Sequence, residues 1–329
     1  MSLEQRIDLL VQLGEYCLSA DPAWEAAREK AFRENGWFIP AFIEGAVQAI
    51  AGEFLRKDKL VQWAEKYRLP AVRTTPGTVG LIMAGNIPLV GFHDFLAIFL
   101  SGHRQRIKPS SRDEVLIRHL IGWLTAANEE VARVVELAER LNGCDAYIAT
   151  GSNNSARYFD YYFGKYPNII RRNRTSVAVL TGGETAKELE ALADDVYRYF
   201  GLGCRNVTKI YVPENYDFVP LLTTFKKYDH LTDHAKYKHN YDYQLTLLLL
   251  NKKYYMTNGS ILLAENDSPF SPISVLHYEY YPGTIRVPAD NPDIQCIVGQ
   301  GQTPFGAAQR PGLDDYADGA DTLQFLQGL

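Results

Sequence analysis

The chain has 329 residues, which is enough for one large domain or two ordinary ones. Hydrophobic residues make up 46% of it and charged residues 22%, as in ordinary soluble proteins. Its net charge of -5, without a long run of lysine and arginine, disfavours nucleic-acid binding. The four cysteines lie far apart with no CxxC pair, and the N-terminus shows no export-signal pattern. Reduced thiols in a cytoplasm are therefore expected.

The predicted elements change in character along the chain. Residues 3–68 are predicted to be mainly helical, because apolar residues recur every three or four positions. After Pro76, short apolar runs alternate with helical stretches. The predicted strands are 79–84, 106–108, 146–149, 176–180 and 209–212, and the predicted helices are 112–142, 155–163, 185–200 and 216–228. This order predicts parallel strands with helical crossovers, and so an α/β fold with a doubly wound sheet.

Residues 80–102 are mostly apolar and long enough to be tested as a membrane span. Four residues disruptive in a lipid-facing helix interrupt the stretch, namely Asn86, Pro88, His93 and Asp94. A buried strand, a turn and a buried helix are therefore predicted, and no membrane span.

Two glycines in Thr181-Gly182-Gly183-Glu184 follow a predicted strand and precede a predicted helix. We place a domain boundary there, which gives the segments 1–181, 182–298 and 299–329. Past residue 228 lies a stretch rich in tyrosine and lysine that reaches residue 255 and contains the apolar run 245–250. The final 30 residues contain mainly loop signals.

Cys204 is the residue most suited to covalent chemistry. It ends Gly201-Leu202-Gly203-Cys204, just before the predicted strand 209–212. A thiol is partly ionised near neutral pH and strongly nucleophilic, so it can accept an acyl group and later release it. The alternative is a buried cysteine that packs as a small hydrophobic residue.

Polar residues also follow two predicted strands upstream. Asn86 comes after the strand 79–84, and Lys108 ends the strand 106–108. Ligands of open α/β sheets bind beyond the carboxyl ends of the strands. Asn86 could donate its amide to an oxyanion, or it could bond its own backbone in a turn. Lys108 could reach a ribose or a phosphate, or it could be solvated.

A third turn, Thr150-Gly151-Ser152, lies between the strand 146–149 and the helix 155–163. Free N–H groups at a helix start suit a pyrophosphate, although Ser152 could simply cap the helix. The fingerprint GxGxxG is absent from the chain.

In this order, the three segments and the cysteine resemble the aldehyde dehydrogenase superfamily, from about Val79 to the C-terminus. The resemblance implies that Cys204 is the nucleophile and that Asn86 and the Cys204 N–H stabilise the oxyanion. It also implies cofactor contacts at Ala84, Gly85, Lys108, Ser110, Ser111, Thr150, Gly151, Ser152 and Phe305, the last in a segment similar to the family's C-terminal loop. The implied domains are a helical N-terminus with a Rossmann-related dinucleotide-binding domain (1–181), a smaller α/β catalytic domain (182–298) and a C-terminal return to the cofactor domain (299–329).

Within the superfamily, the short chain, its ending at 309–319 and the tyrosine-rich stretch are most similar to acyl-CoA reductases of the LuxC type. That family implies reduction of a fatty acyl thioester to an aldehyde by NADPH, with acyl-CoA or another acyl donor as partner. Ser111 stands where relatives that prefer NAD often have a glutamate that binds the ribose 2′-hydroxyl. A serine would not repel a 2′-phosphate, so NADPH is expected, with NADH as the alternative.

Two departures from the family pattern bear on the reaction. Hydrolytic aldehyde dehydrogenases have a water-activating glutamate in the segment similar to 169–175, which here contains no carboxylate. An acyl-cysteine should then persist until a thiol or a hydride reaches it. The arginines of this segment, Arg171, Arg172 and Arg174, could contact phosphates of CoA or NADPH or form a solvated loop. Lys209 stands where an arginine is usual.

Three alternatives stay open: aldehyde oxidation with CoA as acceptor, reduction of an acyl phosphate, and a homologue that binds nucleotide or acyl groups without catalysis. His230 and His234 lie four residues apart, but no further ligand pattern accompanies them, so no metal site is predicted. An amphipathic N-terminal helix could serve the interface of a homodimer.

Overall fold

The computed structural model describes residues 1–285, 287–288, 291–299 and 301–329. The chain divides into two compact units, unit 1 with Met1–Asn173 and Pro311–Leu329, and unit 2 with Arg174–Arg310. The sequence-based boundaries at 181/182 and 298/299 differ from these positions. The sequence-based division places the strand 176–180 in the cofactor domain and residues 299–310 in the C-terminal return, whereas both belong to unit 2. Thr181–Glu184, where a hinge was predicted, is a turn inside unit 2 in which the Glu184 carboxylate accepts the N–H groups of Thr181 and Gly182.

Unit 1 begins with the predicted helical segment. Its helices are α1 Leu3–Cys17, α2 Pro22–Glu34, α3 Pro40–Glu53, α4 Lys57–Lys66, α5 Phe92–Ser101, α6 Glu114–Ala127, α7 Asn153–Phe163 and, at the C-terminus, α11 Thr322–Gln327. α1 starts at a capping box, because Ser2 and Gln5 each bond the other's backbone N–H. Trp24, Leu60 and Trp63 anchor the core that these helices share. The helical N-terminus is confirmed.

The sheet of unit 1 contains five parallel strands in the order β3-β2-β1-β4-β5. They are β1 Thr78–Ile82, β2 Arg104–Lys108, β3 Val135–Leu137, β4 Ala146–Thr150 and β5 Asn168–Arg171. This is the order of a Rossmann sheet, with the reversal point beside β1. The predicted helix 112–142 is wrong beyond residue 127, because Asn128 is extended and a 3-10 turn leads into the edge strand β3.

The apolar stretch 80–102 consists of β1, a turn and the buried helix α5, as predicted. Gly102 ends α5 in the left-handed conformation that glycine adopts without strain. Among the residues that the structure describes, no helix is long and apolar enough to cross a membrane.

Unit 2 has a six-stranded mixed sheet in the order β11-β6-β7-β10-β9-β8, parallel except where β8 pairs with β9. Its strands are β6 Thr175–Val179, β7 Val207–Pro213, β8 Met256–Thr257, β9 Leu262–Glu265, β10 Val275–Tyr281 and β11 Ile294–Val298. Its helices are α8 Ala186–Tyr197, α9 Phe218–Thr224 and α10 Ala235–Leu250. The α/β class is confirmed, with one parallel and one mixed sheet.

Candidate active site

The three predicted cofactor segments lie side by side at one edge of the unit 1 sheet. Ile82 at the end of β1 is in register with Lys108 of β2 on one side and with Ala149 of β4 on the other. The turns that follow these strands therefore begin at neighbouring positions. All three leave the carboxyl ends of parallel strands at the point where the strand order reverses, which is where open α/β sheets bind ligands.

The loop after β1 packs tightly on the loop after β2. A Cβ atom on Gly85 would lie 2.5 Å from Oγ and 2.6 Å from Cβ of Ser110. Only glycine lets the two loops approach so closely. Ala84 and Asn86 flank this contact and are half-buried, whereas Lys108 and Ser111 are exposed.

Asp113 supports the loop that contains Asn86. It stands at the start of α6 but makes no capping bond to that helix. Its Oδ2 instead accepts the Leu89 N–H at 2.6 Å, where Leu89 holds a left-handed φ of 55°. Burial raises the pKa of Asp113 well above its usual range, and the Leu89 bond opposes that rise only in part. Sequence analysis missed this residue, because an aspartate before a helix normally indicates only a cap.

The turn after β4 leads directly into α7. The Ser152 hydroxyl accepts the Ser155 N–H at 3.3 Å, so Ser152 is the N-cap residue of this helix. A Cβ atom on Gly151 would lie 2.9 Å from both Phe159 and Ser155. Thr150 is half-buried as the last residue of β4. Because Gly151 has no side chain, it adds no bulk next to the first N–H groups of α7.

Cys204 lies in unit 2, in the loop between α8 and β7, and its side chain is half-buried. The approach to it is conformationally unusual, because Tyr199, Phe200 and Gly201 have φ angles of 55°, 56° and 75°. A left-handed aromatic residue is uncommon and costs free energy, on the order of 1–3 kcal/mol each. Surrounding contacts must therefore hold this loop in place.

The buried side chain of Asn206 supplies those contacts. Its Oδ1 accepts the Gly203 N–H at 2.8 Å, and its amide donates to the carbonyls of Asp195 and Arg198 at 3.0 and 2.8 Å. It thereby joins the last turn of α8 to the residues around Cys204. The position of Asn206, two residues after the candidate nucleophile, could have suggested a role in this loop. Its hydrogen bonds to Gly203, Asp195 and Arg198 could not be predicted from the sequence.

The side chain of Ser176 in β6 contacts both Cys204 and Cys296 of β11. The Ser176 hydroxyl donates to the Cys204 carbonyl at 3.0 Å, and the Ser176 Oγ accepts the Cys296 N–H at 3.2 Å and lies 3.1 Å from the Cys296 Sγ. Burial raises the pKa of Cys296, against the lowering effect of the Ser176 bond. Both thiols are half-buried, but Cys296 bonds Ser176 through its sulfur, whereas Cys204 contacts Ser176 through its backbone carbonyl and lies on the restrained loop.

Asp195 of α8 holds the segment that contains Phe305. Its two carboxylate oxygens accept the N–H groups of Gly306 and Ala308 at 2.6 and 3.1 Å. Phe305 packs against the left-handed Gly299, where an added Cβ would lie 3.0 Å from the ring. Burial raises the pKa of Asp195 to about 7, and the two N–H groups oppose that rise.

The raised pKa of Asp195 makes the stability of unit 2 depend on pH. Between pH 4 and about 7 the folded chain holds a proton that the unfolded chain has lost, so the free energy of unfolding should fall as pH rises through this range. The expected contribution is at most about 4 kcal/mol. Urea titrations followed by far-ultraviolet circular dichroism should show a shallower slope in Asp195→Asn than in the wild type, and the buried Asp113 should supply the rest. The exposed Glu190→Gln should keep the wild-type slope, and an unchanged slope in Asp195→Asn would contradict the assignment.

Lys209 lies inside the unit 2 sheet. The strand β7 buries its side chain, and the ammonium donates to the Asp267 carbonyl at 2.6 Å and to the Glu279 carboxylate. The positive charge at this position thus has a structural partner on β10.

The three arginines of 171–174 have different environments. Arg171 is buried in unit 1, where it pairs with Asp94, so it fits neither a phosphate contact nor a solvated loop. Arg174 is half-buried and donates to the Ile294 carbonyl at 3.2 Å. Arg172 forms an exposed pair with Asp160. His234 is the N-cap residue of α10 and lies against Phe200. Among the described residues, no group of three or more histidine, cysteine or carboxylate side chains could hold a metal ion.

No family model and no curated protein matches the sequence. Solved structures do match the fold. An NADP-dependent enzyme from E. coli aligns with a TM-score of 0.65 and 11% identity over 91% of this chain and 73% of its own. A succinic semialdehyde dehydrogenase from Streptococcus pyogenes in complex with NADP⁺ aligns with a TM-score of 0.64 and 15% identity over 85% and 72%. A Mycobacterium tuberculosis aldehyde dehydrogenase complexed with NAD⁺ aligns with a TM-score of 0.60 and 14% identity over 86% and 69%.

The chain has the aldehyde dehydrogenase fold. Within this fold, the predicted cofactor segments before residue 153 all lie in unit 1, whereas Cys204 and Phe305 lie in unit 2.

The raised pKa values of the other three thiols predict selective alkylation of Cys204. Burial raises the pKa of Cys17 to about 12, and those of Cys144 and Cys296 are raised for the same reason. At pH 7.5, Cys17 should then contain roughly a thousandfold less thiolate than an ordinary thiol. Limited iodoacetamide treatment and peptide mass spectrometry should find the label at Cys204 first. Equal labelling of Cys17 in the folded chain would contradict this order, and Cys204→Ser should remove the fast phase.

Proposed function

We propose that the chain is an acyl-thioester reductase that converts a fatty acyl-CoA, or a related acyl donor, into an aldehyde through an acyl group on Cys204. The observation that supports this most is the half-exposed Cys204 thiol on a loop held by Asn206 and Ser176 in an aldehyde dehydrogenase fold. The overall change is acyl-CoA + NADPH + H⁺ to aldehyde + CoA + NADP⁺. A reaction that needs a reduced thiol fits a cytoplasmic location, which is part of the proposal.

The residues of unit 1 fit a nicotinamide dinucleotide. The N-terminus of α7 suits a pyrophosphate, because its N–H groups follow a turn in which Gly151 has no side chain. Thr150 and Ser152 flank Gly151 in this turn. Lys108 is exposed at the adjacent strand end, where its ammonium could bind a ribose or a phosphate. Ala84, Gly85, Ser110 and Ser111 complete the proposed cofactor contacts, together with Phe305 of unit 2. The fold matches include complexes with NAD⁺ and with NADP⁺, and Ser111 favours NADPH.

When bound, the reduced nicotinamide would supply a hydride. The chain's own residues would perform the other steps. The Cys204 sulfur would bond to the thioester carbonyl carbon, and the oxyanion would accept hydrogen bonds from the Cys204 N–H and the Asn86 amide. As the carbon–sulfur bond to CoA breaks, the CoA thiolate leaves and takes up a proton. Reduction of the acyl-cysteine carbonyl and loss of the Cys204 thiolate would then release the aldehyde.

Two carboxylates, Asp195 of α8 and Glu279 of β10, already have hydrogen-bond or ion-pair partners, which supports reduction over hydrolysis. Asp195 accepts two backbone N–H groups, and Glu279 accepts the Lys209 ammonium. The segment 169–175 contains no carboxylate. Without a base to activate water, an acyl-cysteine should last long enough for hydride transfer.

The proposal is tested by mixing the full chain with NADPH and either a long-chain acyl-CoA or an acyl phosphate, while absorbance reports cofactor oxidation. Faster oxidation with acyl-CoA, together with trapped aldehyde, is the expected result. Preference for the acyl phosphate would favour the alternative donor, and a faster reverse reaction from aldehyde, CoA and NADP⁺ would favour an acylating aldehyde dehydrogenase. NADPH binding without turnover of any donor would indicate a non-catalytic homologue and overturn the proposal.

A further inference from the structure

The helix α10 packs on unit 2 through one face only. Tyr237 donates its hydroxyl to the Ser260 carbonyl at 2.8 Å, and Tyr241 bonds the Thr257 hydroxyl at the same distance. Leu245 and Leu248 continue this contact against β9 and β10. These residues recur at three and four positions and form the inner stripe of the helix.

The opposite face presents large apolar side chains to solvent. Tyr243 and Leu250 are exposed, and the half-buried Leu247 lies between them at the spacing of one helical stripe. Four side chains in the second half of α10 or just after it are exposed, namely Tyr243 at 60%, Leu249 at 57%, Leu250 at 75% and Tyr254 at 74%. We call these four residues the α10 tip. A cluster of exposed leucine and tyrosine is unusual on a free surface and indicates an interaction site.

The segment 235–255, which contains the α10 tip, has a net charge opposite to that of the whole chain. Residues 235–255 contain four lysines and one aspartate, a net charge of 4 − 1 = +3 in a chain of net charge -5. Lys238 pairs with Asp242. Lys252 and Lys253 are exposed, and the ion pairs of the described residues do not include them. The α10 tip is therefore flanked by two available cations.

The backbone places these two lysines at the end of the helix. The Lys253 N–H bonds the Leu248 carbonyl and the Lys252 N–H bonds the Leu249 carbonyl, which is the Schellman arrangement. Lys252 holds a φ of 53°, a position normally taken by glycine or asparagine. A lysine in this left-handed position lowers the free energy of unfolding relative to glycine. It also places a positive charge within three residues of Leu249 and Leu250 along the chain.

We propose that the α10 tip docks on the surface of an anionic lipid bilayer. Leucine side chains would enter the acyl boundary, tyrosines suit the headgroup level, and lysines would contact anionic headgroups. Charge complementarity selects this partner, because a second copy of a chain of net charge -5 would offer no uniform negative surface. Docking goes beyond the proposed reductase activity, although a bilayer is also where fatty acyl groups concentrate.

Vesicle flotation of the full chain without acyl donor or NADPH tests the proposal. Binding is expected to vesicles of phosphatidylcholine and phosphatidylglycerol in equal parts, not to phosphatidylcholine alone, and should weaken with added salt. The double variant Leu249→Gln/Leu250→Gln should bind at least tenfold more weakly. Lys252→Gly should bind about fivefold more weakly, at about 1 kcal/mol per lysine. Its thermal midpoint should not fall, because glycine suits the left-handed position.

Matched controls separate docking from general surface effects. Leu18→Gln removes a leucine of unit 1 that is also exposed, and Lys187→Gln removes an exposed lysine of α8. Both should bind vesicles like the wild type, as should Cys204→Ala, so a failed reductase assay leaves this test intact. Wild-type chain that stays with the lipid-free fraction, or equal binding by the leucine variant, would overturn the proposal. Sedimentation velocity that shows a dimer dissociated by the leucine variant would assign the face to a second copy instead.

Discussion

Cys204→Ala is expected to lower acyl-CoA-dependent oxidation of NADPH by at least about a thousandfold. The thiol would form the covalent acyl intermediate, and alanine has no group that can replace it. The restraints on this loop, from Asn206 and Ser176, involve the backbone of 203 and 204 and should survive the change. Absorbance at saturating acyl-CoA measures the loss.

Two controls identify the cause of that loss. Cys296→Ser changes the thiol that contacts the Ser176 hydroxyl and should leave activity within about tenfold, because its role is packing. A thermal shift with NADPH alone should be the same for Cys204→Ala and the wild type, since the proposed dinucleotide contacts lie mainly in unit 1. Turnover by Cys204→Ala within a few-fold of the wild type would exclude it as the nucleophile.

Arg171→Ala is expected to lower the free energy of unfolding of unit 1 by roughly 3–5 kcal/mol. The guanidinium pairs with the buried Asp94 and also donates to the Thr322 hydroxyl and the Ala317 carbonyl at 2.9 and 3.2 Å. It thus attaches the C-terminal segment 311–329 to the sheet of unit 1. Among the residues that the structure describes, alanine would leave the buried Asp94 carboxylate with only the Thr322 hydroxyl as a hydrogen-bond partner, at 3.4 Å.

Tryptophan fluorescence can measure this effect in the full chain. All four tryptophans, Trp24, Trp37, Trp63 and Trp123, lie in unit 1, so their signal in urea reports on that unit. The adjacent Arg172→Ala breaks an exposed pair and should cost less than about 1 kcal/mol. Equal losses for the two variants would show that the buried pair has no special role.

Elements with a strong local pattern were predictable. The helical N-terminus and the strands at 79–84, 146–149 and 209–212 coincide with helices or strands within a few residues, because apolar spacing reflects which side faces the core. The β3 strand at 135–137 was missed, since a three-residue edge strand has no pattern of its own. The helix α10 was not predicted either, as its apolar and tyrosine residues occur on both faces.

For the site, the sequence indicated which residues have suitable chemistry and not what surrounds them. Arg171 and Arg172 are identical in type and adjacent, yet one is buried against Asp94 and the other is exposed. That difference depends on a partner 77 residues away. The joint action of Asn86 with Cys204 stays a prediction.

The sequence by itself determined the α/β class, the helical N-terminus and the candidate nucleophile Cys204, because these depend on residue type and on spacing within one segment. Only the tertiary structure decided how the Cys204 loop is held and which carboxylates are already bonded. Asn206 bonds the end of α8, and Asp195 bonds backbone groups 111 and 113 residues away. Such contacts form when distant segments fold together, and no local pattern encodes them.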